Sequence, residues 1–595
     1  MSKKVTLLAI NAKYVHSSLA VWFLANGVSR YSRVQHDVTV VEAVIGQDFV
    51  NIAERVIADK PDVIGISVYI WNVSKLPLII KHIRNYLPKV ILVIGGPEVS
   101  CNAEYWLKQN VDYVICGKGE ESFPMLLDVL SEDNADLKRP LETLPHISGL
   151  SYMHNGKIYE NKQVEPSIRY KRPLETAVAP SQHSFPIEPS TRYKQHPKTV
   201  VAPSQHSFPD AACIDPYSDE YFNTLNGRIA YIETSRGCPF NCSYCLSGEG
   251  NVEFFPLETV KEQIYKLSQT GTKTLKFIDR TFNCNAERAY ELIKYIINLD
   301  ADCCFHFEIA ADLLNESLLS ILSTAKPGKI QIETGIQSFH EPTLKAISRQ
   351  TNIKKAEKNI RTLLKSKNIH IHVDLIAGLP YETLSDFKKG FNRIYALNPH
   401  KIQLGFLKLL HGSKLRQDAE IYNIVYDKKP PYEIISNPWM NVEDFKTLKQ
   451  TENALQHTYN KGRFLATLQY VLSTTGVSPF SLYQKLGESV ENHAMPLEIY
   501  TERLYECFAK LPNVNAKLLR DNMICDLLCT VKGKNIPNFL KTRGKQRKDV
   551  VKKAKQQLHR PIDYDETAVL STGKGVYIDS NNRDLVTKLY EIVFL

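Results

Sequence analysis

The sequence has no run of roughly 18 apolar residues, the length that a membrane-spanning helix requires. Its one early apolar run, Val5 to Ile10, ends at Asn11 and lacks a small-residue cleavage motif, so it indicates a first strand and not a signal peptide. Only 12 cysteines occur in 595 residues, too few for a disulfide scaffold. We therefore expect reduced thiols or metal ligands, no membrane partner and a cytoplasmic location.

Outside one segment, the positive and negative charges of the chain balance. The whole chain carries a formal charge of +10, and residues 532–560 hold eleven Lys or Arg against the single acid Asp549, which is again +10. Such a basic run is most often a solvated face of a helix or loop. The alternative interpretation is a patch that contacts RNA or another phosphate-bearing partner.

Short β-branched runs alternate with helical stretches over the first 130 or so residues. The runs are 5–11, 38–44, 63–69, 90–96 and 111–117. This pattern predicts a doubly wound, flavodoxin-like parallel sheet. Ligands of such sheets bind beyond the carboxyl ends of the strands. Here those ends carry Gly95, Gly96 and Gly117, which would let a bulky ligand approach the backbone closely.

A tandem repeat follows the first sheet. Residues 165–186 recur, with substitutions, as 188–209, and both copies are rich in Pro, Ser and His. Two copies are too few for a solenoid, which needs about three or more stacked units. We interpret the repeat as a duplicated flexible linker, and we prefer that interpretation to a metal site built on its paired His183 and His206.

The βα rhythm then resumes with six further strands. They are predicted at 228–234, 274–279, 304–309, 329–335, 369–376 and 401–408. Six βα units predict a partial (β/α)6 barrel with its chemistry at the C-terminal strand ends. Beyond about residue 430 the pattern is mainly helical, with a hairpin at 568–579. Cys525 and Cys529, four apart on a predicted helix, read as buried apolar residues.

Three cysteines lie in the loop after the first barrel strand. The segment ETSRGCPFNCSYCLSGEG places Cys238, Cys242 and Cys245 in the spacing C-x3-C-x2-C, and we call them the cysteine triplet. A structural zinc site takes four protein ligands, and [4Fe-4S] clusters are usually held by four cysteines. Three thiolates without a fourth nearby therefore indicate a cluster that keeps one iron free.

The triplet, with Tyr244 before its last cysteine and a six-unit barrel behind it, resembles the radical S-adenosylmethionine (SAM) superfamily. The first sheet resembles the cobalamin-binding subgroup, and the C-terminal third resembles an uncharacterised extension found in one branch. The resemblance implies a [4Fe-4S] cluster, SAM chelated by the free iron, a 5'-deoxyadenosyl radical and bound cobalamin. It also implies a reducing partner such as flavodoxin or ferredoxin.

The same resemblance places candidate SAM contacts in the barrel. Glu308, Gln337 and Asp374 stand where related barrels present polar groups to the nucleoside, and carboxylates accept ribose hydroxyls well. Gly378 and Pro380 would shape the turn on the adenine side. The alternative for each polar residue is a salt bridge at the barrel mouth.

The sequence departs from the family in two places. After the second barrel strand, Asp279, Arg280 and Asn283 stand where a glycine-glycine-acid motif usually contacts the methionine amine. No D-x-H-x-x-G motif follows the first strand of the chain, where NAKYVHSSLA offers only His16. We interpret His16 as a loop histidine with a protein partner, in preference to a replacement ligand of cobalt.

The favoured function is methyl transfer to an unactivated carbon, and no motif identifies the substrate. Alternatives are a radical rearrangement, an RNA modification, or a non-catalytic iron-sulfur or RNA-binding module. Methylthiolation would need three more cluster cysteines in the N-terminal domain, which has only Cys101 and Cys116. The predicted division of the chain is a cobalamin-binding-like domain at 1–135, a hairpin and linker at 136–227, the radical SAM barrel at 228–415 and the helical extension at 416–595.

Overall fold

A computed structural model describes most of the chain. The described residues are 1–132, 143–162, 215–248, 251–490, 495–531, 536–541 and 545–595. The tandem repeat, with His183 and His206, lies outside these ranges, as does the start of the basic run. Within the described residues every helix is too short or too polar to cross a bilayer.

The N-terminal part is one seven-stranded sheet. Its strands are β1 (Lys4–Asn11), β2 (Asp37–Val44), β3 (Val63–Ser67), β4 (Ile91–Gly95), β5 (Tyr113–Ile115), β6 (Leu150–His154) and β7 (Lys157–Glu160). The order is β2-β1-β3-β4-β5-β6-β7, with the first five strands parallel. The doubly wound prediction is confirmed, and the order reverses between β1 and β3, the switch point where ligands bind.

The predicted hairpin is β6–β7, joined through Asn155 and Gly156, which both have positive φ as a type I′ turn requires. β6 pairs antiparallel with β5. The hairpin that the predicted division groups with the linker is therefore the edge of the N-terminal sheet.

Helices cover both faces of this sheet. They are α1 (Ala20–Tyr31), α2 (Phe49–Ile57), α3 (Leu76–Tyr86), α4 (Ala103–Leu107) and α5 (Gly119–Ser131). Because successive side chains of a strand point to opposite faces, Leu7 joins the core that includes α1 and α5, and Leu8 joins the core that includes α2 and α3. The first of these cores continues into the barrel.

The second sheet is the predicted half-open barrel. After α6 (Asp219–Asn223) its region contains β8 (Ile229–Ile232), β9 (Ser235–Gly237), β10 (Val252–Phe254), β11 (Thr274–Phe277), β12 (Cys304–Ile309), β13 (Ile330–Gln337), β14 (Ile369–Ala377) and β15 (Lys401–Phe406). Six of them form a parallel sheet in the order β8-β11-β12-β13-β14-β15, and β9 pairs antiparallel with β10. In β13, buried Ile330, Ile332 and Ile336 alternate with half-buried polar residues that face the lumen.

The barrel helices are packed outside the six strands. They are α7 (Leu257–Ser268), α8 (Ala286–Asn298), α9 (Glu316–Ser323), α10 (Glu341–Ala346), α11 (Ile353–Lys365) and α12 (Leu384–Tyr395). Four of them begin at a side chain that accepts a hydrogen bond from the backbone of the first turn, and these caps are Asn285, Asn315, Asn352 and Thr383. Such a cap contributes about 1 kcal/mol and fixes where the helix begins.

The C-terminal part is mainly helical, as predicted. It contains α13 (Lys414–Gln417), β16 (Val425–Tyr426), β17 (Ile434–Ser436), α14 (Val442–His457), α15 (Leu465–Thr475), α16 (Pro479–Ser489), α17 (Leu497–Ala509), α18 (Ala516–Val531), α19 (Lys545–Leu558), β18 (Thr567–Val569), β19 (Gly575–Arg583) and β20 (Tyr590–Phe594). The predicted hairpin is β18–β19, and β20 adds a third strand. In α18, burial raises the pKa of Cys525 and Cys529 to about 12, which keeps both thiols neutral.

The basic run is partly described and contains α19. This helix buries Val550 and Ala554, while Lys548, Lys552, Lys553 and Lys555 are exposed. The exposed lysines suit either of the two interpretations offered for the run.

Candidate functional site

The cysteine triplet lies in the loop that joins β8 to β10 and contains β9, which we call the cluster loop. Cys238 and Cys242 are buried and Cys245 is half-buried. The loop needs a glycine at Gly237, because its φ is +91° and a Cβ there would lie 2.1 Å from the Asn251 carbonyl oxygen. Buried Asp279 braces the base of the loop by accepting hydrogen bonds from the backbone N–H and hydroxyl of Thr234.

Each sulfur of the triplet has a polar neighbour that sequence reasoning missed. The Thr281 hydroxyl lies 3.5 Å from Cys238 Sγ, and the Ser247 N–H lies 3.5 Å from Cys245 Sγ. Arg349 directs Nη1 to Cys242 Sγ at 3.6 Å. Donors and positive charge of this kind favour thiolates, the form that binds iron. The donor set therefore fits an iron-sulfur cluster held by three cysteines.

Arg349, which follows α10, is the cation that lies beside Cys242 and Tyr244. Its Nη2 donates to the Gly335 carbonyl oxygen, and Nη1 lies 3.5 Å from the Tyr244 hydroxyl. Burial opposes its charge, yet Tyr244 and Cys242 keep the pKa of the guanidinium above its usual value. Its buried Nε has no hydrogen-bond partner in the described structure. A guanidinium with a free donor beside the cluster loop is suited to a carboxylate of a ligand.

A fourth thiol, Cys284, lies in the turn after β11. Burial is the main cause that raises its pKa, and Asp279 and Cys238 add to the effect. A raised pKa favours the neutral thiol, whereas a metal ligand must be a thiolate. The structure thus offers Cys284 as a neighbour of the triplet that sequence spacing did not indicate.

The barrel lumen holds the carboxylates that were predicted to contact SAM. Glu308 Oε1 lies 3.0 Å from Lys276 Nζ, the salt bridge given above as the alternative role. Asp374 is 3.8 Å from His372 Nε2, and its buried Oδ1 has no hydrogen-bond partner among the described residues. Burial, followed by the charges of Glu333 and Glu308, raises the pKa of Asp374 well above its usual range. A protonated Asp374 can both donate and accept hydrogen bonds.

Gln337 and Gly378 take different places in the same region. Gln337 follows a β-bulge with a φ of +68°, and its buried Oε1 has no partner in the described chain. Gly378 has a φ of +91°, and a Cβ there would lie about 3 Å from Phe445 and Ile434 of the C-terminal part. Protein side chains therefore occupy the space beside Gly378, whereas the Oε1 of Gln337 is a buried acceptor without a partner in the described structure.

Deeper in the lumen lies a second polar layer around Glu333. Its Oε2 is 3.1 Å from His306 Nε2, 3.4 Å from Lys276 Nζ and 3.9 Å from His372 Nδ1. Burial disfavours the charge of Glu333, but His306 and Lys276 outweigh it and lower the pKa to about 2. Glu333, His372 and Asp374 each offer a ligand atom within 4.8 Å of the others. Because Lys276 already neutralises Glu333, we assign no metal to them.

The residues that stand in place of the glycine-glycine-acid motif mostly make hydrogen bonds within the protein. Asp279 braces the cluster loop, and buried Asn283 exchanges two hydrogen bonds of 2.9 Å with the backbone of Ala310. Arg280 is exposed, and its charge acts on Tyr69 of the N-terminal part. Of the three residues, Arg280 alone is exposed, whereas Asp279 and Asn283 are buried.

The carboxyl edge of the N-terminal sheet is built from tightly held loops. At the switch point Trp71 Nε1 and Asn72 Nδ2 both donate to the Ile10 carbonyl oxygen, at 3.0 and 3.2 Å. Trp71 is 41% exposed and stacks on Tyr69 with ring centroids 4.4 Å apart. An exposed tryptophan backed by a stacked tyrosine at a switch point fits a large planar ligand.

The fold itself favours glycine at these positions of the sheet edge. A Cβ at Gly96, whose φ is +114°, would lie 2.5 Å from the Val68 carbonyl oxygen, and one at Gly95 would lie 3.1 Å from that of Ile115. Gly117 has a φ of +88°. Their role in ligand binding stays a prediction. Orphaned buried atoms nearby, Asn102 Oδ1 and Trp106 Nε1, fit a ligand that carries amide groups.

His16 turns toward the barrel. Its Nδ1 lies 2.5 Å from the Tyr231 hydroxyl, and a parallel bridge joins it to Ile229. Burial is the main cause that lowers its pKa, followed by the charge of Lys13. His16 is therefore a loop histidine with a protein partner, as interpreted from the sequence.

Two ion pairs connect the cluster loop with the N-terminal sheet edge. Arg236 of β9 pairs with Glu120 and with Glu233. Lys118 Nζ lies 2.8 Å from Glu253 Oε2 of β10. Lys118 follows directly on Gly117 and Glu120 lies in the first turn of α5, so the connection from β5 to α5 is in contact with the hairpin that carries the triplet.

Three family models match the chain. A B12 binding domain matches residues 5–127, the radical SAM superfamily matches 232–394, and a protein family of unknown function, DUF4080, matches 420–580. These spans follow the N-terminal sheet, the barrel and the C-terminal part of the structure.

Curated relatives and solved structures have the same arrangement at low identity. The uncharacterized methyltransferase PH0819 of Pyrococcus horikoshii is 24% identical over 72% of this chain and 84% of its own length. The cobalamin-dependent radical SAM methyltransferase TokK of Streptomyces tokunonensis is 23% identical over 58% of this chain, which spans 46% of TokK. The structure of TsrM from Kitasatospora setae, with cobalamin and a [4Fe-4S] cluster bound, gives a TM-score of 0.53 at 18% identity over 72% of this chain and 76% of TsrM.

A second solved structure covers more of the chain. The cobalamin-dependent SAM radical enzyme OxsB gives a TM-score of 0.54 at 14% identity, over 88% of this chain and 78% of OxsB. At these identities the likeness shows the fold. Together with the three family matches, it makes this chain a B12-binding radical SAM protein with a C-terminal DUF4080 region, an enzyme whose cofactors are a [4Fe-4S] cluster, SAM and cobalamin.

Proposed function

We propose that the chain is a methyltransferase that methylates an unactivated carbon. The observation that carries the proposal is the direct contact between the two cofactor loops. The connection from β5 to the first turn of α5 lies at the edge where a doubly wound sheet binds its ligand. Its residues Lys118 and Glu120 are ion-paired to the hairpin that carries the cysteine triplet. Radical formation and methyl donation would then occur in one cleft.

The residues of the chain have separate tasks in this cleft. The triplet would hold the cluster, and Arg349 would hold the carboxylate of SAM. Asp374, Glu308 and Gln337 are acceptors for the nucleoside. When bound, the cluster and SAM supply the adenosyl radical, and cobalamin supplies the methyl group. The protein would orient these groups and exclude bulk water from the cleft.

Named relatives support the methyl-transfer part. PH0819 and TokK are both called methyltransferases, and the same holds for TsrM among the solved structures. Ring formation is the second candidate, because an anaerobic magnesium-protoporphyrin IX monomethyl ester cyclase of Cereibacter sphaeroides is 19% identical over 59% of this chain. The two candidates differ in whether a methyl group leaves SAM.

The test counts the products of SAM. Anaerobic protein with a reconstituted cluster, cobalamin and a chemical reductant in place of flavodoxin or ferredoxin is incubated with SAM. Methyl transfer requires both 5'-deoxyadenosine and S-adenosylhomocysteine, since one SAM is cleaved and a second gives its methyl group. The triple Ala variant of the triplet should lose 5'-deoxyadenosine. Release of 5'-deoxyadenosine alone, with cobalamin bound and the substrate consumed, would contradict methyl transfer and favour a rearrangement or ring formation.

A further inference from the structure

One segment of the chain contacts both the cluster loop and the loop after β4. Residues 407–416, which follow β15, are called the bridging segment. At its C-terminal end, Leu415 N–H donates to the Ser243 carbonyl oxygen at 2.7 Å, and Ser243 lies between two cysteines of the triplet. In its middle, Gly412 packs so closely on Cys101 that a Cβ would lie 2.5 Å from Cys101 Sγ. Cys101 belongs to the loop after β4, at the cobalamin edge.

The same loop is held by a buried carboxylate and a tyrosine of the DUF4080 region. Glu98 is 4% exposed, lies two residues after Gly96, and accepts a hydrogen bond from the Tyr432 hydroxyl. His411 of the bridging segment lies 4.0 Å from Glu98 and meets the Tyr432 ring edge-on, with centroids 4.9 Å apart. The loop after β4 is therefore held in place by the bridging segment and by Tyr432 of the DUF4080 region.

Tyr432 is itself fixed to the bridging segment. The N–H of Leu409 donates to the Tyr432 carbonyl oxygen at 2.9 Å. The guanidinium of Arg416 lies over the Tyr432 ring at 4.7 Å from its centroid, and its Nη1 donates to the Leu409 carbonyl oxygen at 2.6 Å. A shift of the loop after β4 would thus be passed through Glu98 and Tyr432 to α13 and the cluster loop.

We propose that Tyr432 and Glu98 are positioning residues, which hold the loop after β4 at a fixed place relative to the cluster loop and so set the distance between cobalamin and the adenosyl radical. This gives the start of the DUF4080 region a role in the reaction. The proposal rests on the proposed function only for its product readout, because its binding readout does not depend on methyl transfer.

The experiment compares Tyr432→Phe with Tyr426→Phe. Tyr426 is the matched control, because its ring also lies near Arg416, at 5.4 Å, but no contact joins it to the N-terminal sheet in the described structure. The first readout is the dissociation constant of hydroxocobalamin, titrated by absorbance on the full chain. Losing a buried hydrogen bond to a carboxylate should weaken binding by about fivefold or more. Tyr426→Phe should stay within about twofold.

The second readout is the ratio of S-adenosylhomocysteine to 5'-deoxyadenosine at saturating cobalamin. In Tyr432→Phe the ratio should fall, while cluster absorbance and the rate of 5'-deoxyadenosine release remain near those of the unaltered chain. Unchanged cobalamin affinity and an unchanged ratio would overturn the proposal. If the unaltered chain forms no S-adenosylhomocysteine, the proposed function fails, and the affinity readout still decides the positioning role.

A variant pair at Glu98 covers the case in which Tyr432→Phe does not fold. Glu98→Gln keeps an oxygen that accepts from the Tyr432 hydroxyl and should bind cobalamin like the unaltered chain. Glu98→Leu has similar size without an acceptor and should bind about fivefold more weakly. Equal affinities of Glu98→Gln and Glu98→Leu would overturn the proposal.

Discussion

Arg228 joins the N-terminal sheet to the first barrel strand, and its removal should destabilise the protein strongly. Arg228 is 7% exposed. Its guanidinium pairs with Glu42 of β2 and donates to the backbone carbonyls of Tyr14, His16 and Thr224. These contacts fix the loop after β1 against the open edge of β8.

The magnitude follows from the burial of both partners. The side chains of Arg228 and Glu42 are 8% and 12% exposed, so water replaces the lost partner poorly. Breaking a buried ion pair by removing one partner costs roughly 3–5 kcal/mol. Glu42 keeps hydrogen bonds from Asn11 and Trp22, which lessen the penalty. We expect Arg228→Met to cost about 4 kcal/mol, mostly because the Glu42 charge is left unpaired.

Thermal unfolding of the cluster-free protein measures this cost. A loss of about 4 kcal/mol should lower the Tm of the first transition by roughly 10 °C, for a unit of 150–250 residues. The control is Arg503→Met, which breaks a pair with Glu506 whose side chains are 57% and 58% exposed, and should cost under about 1 kcal/mol.

The double variant Arg228→Met with Glu42→Gln gives the sharper comparison. It should be more stable than Arg228→Met alone, because it removes the orphaned charge. A double variant less stable than Arg228→Met would refute the reasoning, as would a Tm for Arg228→Met equal to that of the exposed control.

Three further outcomes are expected. Cys284→Ala should keep the iron-sulfur absorbance that an Ala at any position of the cysteine triplet removes, and loss of the cluster in Cys284→Ala would make it a fourth ligand. Neutralising Lys552, Lys553 and Lys555 should weaken RNA binding at low salt and reduce the log-log salt slope by up to about 3, with 5'-deoxyadenosine release unchanged; an unchanged slope would leave α19 a solvated face. Burial raises the pKa of Glu382 to about 8, although the hydrogen bond from Ser338 opposes the shift. The stability that this shift contributes is fully present below the ordinary pKa of a glutamate and is lost as the pH rises toward 8. Tm should therefore fall between pH 5 and 8.5 more in the unaltered chain than in Glu382→Gln, and parallel curves would disprove the shift.

The strands could be predicted because their signal is local. Every one of the eleven predicted parallel strands is present, since β-branched alternation is a property of a few consecutive residues. The Asn155–Gly156 turn is equally local, because only residues that tolerate positive φ fit it. The sequence did not reveal which sheet the hairpin joins, because strand pairing depends on tertiary contacts.

The contacts around the cofactor loops could not be predicted for the same reason. Arg349 reaches Cys242 across 107 positions, Arg228 reaches Glu42 across 186, and Tyr432 reaches Glu98 across 334. No spacing rule links such residues, and each is unremarkable in its own segment. The role of Gly378 in a turn on the adenine side stays a prediction, and the sequence did not reveal that Ile434 and Phe445 of the C-terminal part lie against it.

The cobalamin edge is attached to the rest of the chain at the ends of three separate strands of the N-terminal sheet. The loop after β1 is held by Arg228 of the barrel, and the loop after β4 by Tyr432 of the DUF4080 region. The connection from β5 to the first turn of α5 is held by the ion pairs of Lys118 and Glu120 with the barrel. β1 and β5 are three strand spacings apart in the sheet order, which is roughly 14 Å at about 4.8 Å each. One attachment would act as a hinge, whereas attachments spread over this distance turn any rotation of the sheet into stretching of an ion pair or hydrogen bond. The orientation of the two sheets is thereby built into the protein, so binding energy of the cofactors is not needed to establish it.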